Sequence, residues 1–121
     1  QMPFTQLGLV PEAGSSYILP LLANKSVAND LLLLGEKFTA EQAISYGVIN
    51  GIGDNPSDLA SKACEKICKL PVNAVLKTKK LLKSHFKEEI DKTIDAELEE
   101  FAKCLASDEA KSAFNAFLQR G

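Results

Sequence analysis

The sequence has no tryptophan, one methionine, one histidine and only three cysteines in 121 residues. The lone His85 leaves no second imidazole for a histidine-rich metal centre and restricts any Ser-His pair to one position. Cys64, Cys68 and Cys104 are odd in number and form no C-x-x-C step. That excludes a disulfide scaffold and fits a reducing compartment; Cys64 and Cys68, four apart on one helical face, read as buried thiols rather than metal ligands. No metal site is expected. Long apolar runs are absent too. The longest, Leu31 to Leu34, is far short of the roughly 20 residues that cross a bilayer, so no membrane-spanning helix is expected. Neither G-x-G-x-x-G nor a Walker motif occurs, and Gln1-Met2-Pro3-Phe4 has no basic or apolar leader character. Charge is nearly balanced, with 14 Lys+Arg against 16 Asp+Glu. Without a basic excess the chain does not read as a nucleic-acid binder.

What is present suits a globular chain: 45% hydrophobic and 25% charged residues. The length allows one domain at most, with a modest core. Because Gln1 is not an initiator methionine, the chain reads as a piece of something longer.

Residues 1–12 read as extended, punctuated by Pro3, Gly8 and Pro11. The pattern predicts a helix from about Ala13 to Leu19, ending before Pro20, and a second from Ser26, as N-cap, to Leu34, with Gly35 beyond its end. Thr39-Ala40-Glu41-Gln42 is a capping box, and Gly47 closes the helix it opens. Val48-Ile49 reads as a short strand, and Gly51 to Pro56 as a turn cluster and internal boundary. Four helices follow. The first is capped by Ser57 and runs to about Leu70 with Leu59, Ala63, Ile67 and Leu70 on one face; the second starts at Pro71 and runs to Phe86. The third carries the stripe Ile90, Ile94, Leu98, Phe101 and Leu105, and the last is capped by Ser107.

Charge comes in blocks. Six lysines and no acid lie between Lys69 and Lys87; seven acids and one lysine lie between Glu88 and Glu100. Two solvated helices attracting each other across a hairpin is one reading. A phosphate-binding lysine surface is the other. Lys79 falls between Val75 and Leu82 on the apolar stripe, where it either snorkels to water or meets an anion. Glu12 is the acid of greatest chemical interest. Its neighbours in Leu7-Gly8-Leu9-Val10-Pro11-Glu12-Ala13-Gly14-Ser15-Ser16 are apolar or small, which disfavours its charged form, while the helix that follows favours it. A carboxylate so balanced accepts and returns a proton near neutral pH. A solvent-facing acid that merely complements the helix dipole is the alternative.

The segment Leu7 to Ser16, then Leu33-Leu34-Gly35-Glu36-Lys37-Phe38-Thr39-Ala40-Glu41-Gln42-Ala43, then Tyr46-Gly47-Val48-Ile49, resembles the enoyl-CoA hydratase/isomerase (crotonase) superfamily. Leu70-Pro71 followed by Asn73-Ala74 and Lys79 agrees in order, so the resemblance runs from about Pro3 to Phe117. It implies a mainly α fold, the C-terminal part of a ClpP/crotonase-like fold with at most one or two short strands. Residues 1–56 would be the end of the catalytic core and residues 57–121 a helical oligomerisation domain, trimer-type in the complete protein. The family's preceding half, with both N–H donors of the oxyanion hole, is not in this sequence.

The resemblance also narrows the activity. Hydratases carry a second glutamate in a Pro-Glu step where Pro3-Phe4 stands here, and commonly carry Gly where Glu12 stands. The exchange resembles peroxisomal-type Δ3,Δ2-enoyl-CoA isomerases, with Ala13 in place of a more usual Gly. It implies Glu12 as the catalytic proton shuttle and Phe4 as a wall of the acyl pocket. Lys79, Lys80 and Lys83 would hold CoA phosphates. The substrate would be an acyl-CoA, with no separate cofactor because CoA belongs to the substrate, and the compartment peroxisomal or the mitochondrial matrix. The fragment alone should be inactive. A non-catalytic binding or corepressor domain, which in the chromodomain-Y-like proteins carries Asp for Glu, and an enoyl-CoA hydratase are the alternatives.

Overall fold

Glycines fix the path of the first residues. Thr5–Leu7 make a single 3-10 turn, closed by Gly8 at φ 68° with its N–H on the Thr5 carbonyl. A Cβ on Gly8 would stand 2.9 Å from the Ala110 backbone nitrogen, so only glycine allows that approach. The computed structural model describes residues 1–119. Among them all regular structure is helical.

Helix α1 spans Ser15–Asn29 and passes through Pro20, beyond the end expected at Leu19. Proline lacks the N–H that would reach the Ser16 carbonyl, but its fixed φ is compatible with continuing the helix. The break comes at Asn24, with φ 61° and ψ 164°. Its Oδ1 accepts the amides of Ser26 at 3.0 Å and Val27 at 3.2 Å, so Asn24 caps the second half in place of Ser26. A wide π turn, Asp30–Leu34, ends at Gly35 with φ 63°. The Thr5 hydroxyl donates to the Leu33 carbonyl at 2.8 Å and the Gln6 amide to that of Leu34 at 2.7 Å. These bonds satisfy carbonyls that a helix end leaves open and tie the first turn to the end of α1.

Helix α2, Ala40–Ser45, has the capping box read from its sequence: the Gln42 amide donates to Thr39 Oγ1 and the Thr39 amide to Gln42 Oε1. It closes with Val48 N–H on the Ala43 carbonyl and Gly47 N–H on that of Ile44, each at 2.9 Å. This closure explains why the expected Val48-Ile49 strand does not form. The Ile49 amide also points to the Ala43 carbonyl, at 3.4 Å, and neither amide is left for a ladder. Leu19, Ala28, Leu31 and Leu32 form the core cluster, with Phe4, Val27, Phe38, Tyr46 and Val48 packed around it.

Four helices follow: α3 Pro56–Cys68, α4 Val72–Ser84, α5 Lys87–Leu105 and α6 Asp108–Leu118. Asn55 caps α3, taking the Ser57 amide at 3.0 Å, so Pro56 is the first helical residue and Ser57 is not the cap. Ser107 does cap α6 through the Ala110 amide. All of α3 is exposed, and in α4 only Val75 is half-buried. Cys64 and Cys68 are therefore exposed, contrary to the burial expected of them, because among the described residues no other helix packs extensively on theirs. Helix α5 packs on α1, with Ile90 and Ile94 against Gly14. Leu98 and Leu105 of its stripe are exposed.

Candidate functional site

The Glu12 turn is built from two consecutive left-handed residues. Ala13 has φ 60° and Gly14 has φ 75°, so α1 begins at Ser15 rather than at Ala13. The reversal leaves Glu12 exposed just ahead of the helix, and among the described residues its carboxylate makes no hydrogen bond or ion pair. The apolar shielding expected from its sequence neighbours is not supplied by them: Pro11 and Val10 are half-buried while Glu12 faces outward.

The amides that open α1 have an unusual partner. Glu97, from α5, is 7% exposed. Its Oε2 accepts the Gly14 amide at 2.6 Å, and its Oε1 accepts the Ser16 amide at 2.8 Å and the Ser16 hydroxyl at 2.5 Å. Helix amides and a carboxylate are matched in charge, and bonds to an ionised acceptor are short and strong. Gly14 cannot be replaced lightly, since a Cβ there would press on Ile18 at 3.3 Å as well as strain the backbone. Ser15 Oγ is enclosed in the same region and has no partner among the described residues. Sequence reading missed Glu97, which looks like one of seven acids in a solvated block. The available signal was its register: Ile90, Ile94, Glu97 and Phe101 fall on one helical face.

Phe4 is half-buried against the core cluster, next to the turn Thr5–Leu7. Lys79, Lys80 and Lys83 are exposed on α4. Lys79 and Lys83 edge an open groove of about 830 Å³ whose floor is Ile67, Leu70, Val75 and Leu82. The structure thus places the lysines on a different element from Glu12, and no bond among the described residues joins the two sets. Attraction between the lysine block and the acid block across the hairpin is not seen. The ion pairs lie within helices: Lys87 with Asp91, Lys92 with Glu88 and Glu89, Lys103 with Glu99 and Glu100, and Lys111 with Asp108. Spacings of three and four residues bring these partners together within their own helix. Hydrogen bonds from Lys103 to Glu100 and Glu99 hold its ammonium well above the ordinary lysine range. His85 ends α4, exposed, with its ring edge-on to Phe86. No group of three or more His, Cys, Asp or Glu among the described residues is arranged to hold a metal ion.

The family model for enoyl-CoA hydratase/isomerase matches residues 1–121. A mouse protein named enoyl-CoA delta isomerase 3, peroxisomal, is 31% identical over 98 residues, covering 78% of this chain and 30% of its own. A short-chain-enoyl-CoA hydratase from Clostridium acetobutylicum is 27% identical over 121 residues, covering 98% of this chain and 46% of its own. The solved structure of OdaA from Pseudomonas aeruginosa matches with a TM-score of 0.90 and 39% identity, over 97% of this chain and 49% of that one. The chain spans less than half the length of the curated relatives it matches.

Proposed function

Because the chain belongs to the enoyl-CoA hydratase/isomerase family, within the crotonase superfamily, we propose that it is the C-terminal portion of a Δ3,Δ2-enoyl-CoA isomerase. Its helices match the helical C-terminal part of the crotonase fold. The observation that carries the reading is Glu12: an exposed carboxylate on a reversed turn, unpaired among the described residues, with Phe4 where the resemblance puts the second glutamate of hydratases. The proposed substrate is a 3-enoyl-CoA. The thioester acidifies the C2 hydrogen. Glu12 takes that proton, the C2–H electron pair spreads into the thioester carbonyl as a dienolate, and the double bond moves to C2–C3 as the same carboxyl returns the proton to C4. No atom is gained or lost, so no water and no separate cofactor enter. Amide donors that stabilise the enolate oxygen would come from the part of the protein outside this chain. In the same reading residues 1–56 end the catalytic core and residues 57–121 form the oligomerising part. Phe4 helps to wall the acyl pocket, and Lys79, Lys80 and Lys83 meet the CoA phosphates. The compartment is peroxisomal or mitochondrial; the peroxisomal alternative is supported by the name of the mouse relative.

Glu12→Gln in the complete protein is expected to lower kcat for a 3-enoyl-CoA by about 10²- to 10⁴-fold while CoA binding persists. Near wild-type turnover in that variant would exclude the role. Replacing Lys79, Lys80 and Lys83 together by alanine is expected to raise KM about tenfold, the combined effect of three exposed charge contacts. An unchanged KM removes them from the CoA site. The hydratase reading is supported by the Clostridium relative. It predicts water addition to a 2-enoyl-CoA, which the isomerase reading does not.

A further inference from the structure

We propose that Glu97 is the positioning residue of the Glu12 turn: its buried carboxylate fixes the backbone of residues 14 to 16, and through it the direction in which Glu12 presents its own carboxylate. The inference rests on the isomerase reading of Glu12. Three observations carry it. Glu97 is the only charged side chain buried among the described residues, and all three of its bonds go to Gly14 and Ser16. The turn it holds contains two left-handed residues in succession, one of them alanine, a conformation that does not persist unless its surroundings impose it. The two oxygens grip amides on either side of Ser15, which fixes the rotation of the first helical turn as well as its position.

An ionised carboxylate is the group this geometry needs. Gly14 and Ser16 present two amide donors and a hydroxyl, and a carboxylate supplies acceptors on both sides. A glutamine of the same shape has one acceptor oxygen and one NH2, so one amide would face another donor. The Glu12 turn would then relax. A carboxylate that must abstract a proton from one carbon and deliver it two carbons away is sensitive to such a shift.

The test is steady-state kinetics on the complete protein with Glu97→Gln, Ser16→Ala and Glu12→Gln, alongside thermal melts and CoA binding. For folded Glu97→Gln, kcat is expected to fall about ten- to hundredfold with KM within about threefold of wild type. Ser16→Ala, which removes only the hydroxyl bond, is expected to lose several-fold in kcat. A merely structural glutamate would lower the melting temperature and leave kcat per folded molecule unchanged; that result overturns the proposal. If Glu97→Gln does not fold, Ser16→Ala decides: an unchanged kcat there also overturns it. Full turnover by Glu12→Gln is a separate failure, of the reading on which the proposal rests.

Discussion

At the residue scale, the two non-glycine residues with positive φ among the described residues are Ala13 and Asn24. A left-handed alanine costs about 1–2 kcal/mol, and glycine there would recover that less about 0.5–1 kcal/mol of extra chain entropy. Ala13→Gly should therefore stabilise the complete protein by about 0.5–1 kcal/mol, read by denaturant melts; a loss of stability would show that the turn is not strained. Asn24 lies in a region populated almost only by glycine, at a cost of about 1–3 kcal/mol, whereas trading an Asn cap for Gly costs only a few tenths. Asn24→Gly should raise the melting temperature despite deleting two capping bonds. Neither strain was legible in the sequence. Alanine is a good helix former, and reading α1 from Ala13 followed from that; positive φ leaves no mark unless glycine reports it.

At the element scale, helix ends were legible where the capping residue had no competitor. Thr39 with Gln42, and Ser107, could be read directly. Ser26 and Ser57 could not be distinguished from Asn24 and Asn55 by residue type; each asparagine stands two residues earlier and its Oδ1 accepts the serine's own amide, which puts the serine inside the helix. Thr39→Ala should cost about 1 kcal/mol by removing one half of a reciprocal pair, seen as a lower denaturation midpoint. The α4–α5 hairpin gives the opposite lesson. Blocks of opposite charge suggested a cross-helix attraction, but the lysines of α5 pair with acids three or four residues away on their own helix. Glu97 was hidden for the same reason: block composition concealed the one acid whose register is apolar.

At the scale of the whole molecule, the family motifs were legible from end to end, because they are local strings. The layout of α3 and α4 was not, since apolar stripes state what a helix buries but not where the covering surface comes from. Ile67, Leu70, Leu76 and Leu82 are at least half exposed, and the groove they share with Lys79 is mostly apolar. A contiguous apolar face of this kind does not stay in water. The 121-residue chain by itself should associate in a concentration-dependent way in sedimentation experiments; a monodisperse monomer at high concentration would contradict that.

The bond between Glu97 and the start of α1 spans 83 residues of sequence at Gly14. A ribosome makes Glu12 early and Glu97 late, so every nascent chain passes through a stage in which the acid exists without its latch. A message cut short before the codon for Glu97 would yield a polypeptide with the motifs around Glu12 and without the buried carboxylate that holds Gly14 and Ser16. In the proposed reading, the last helices thus complete the turn that presents Glu12.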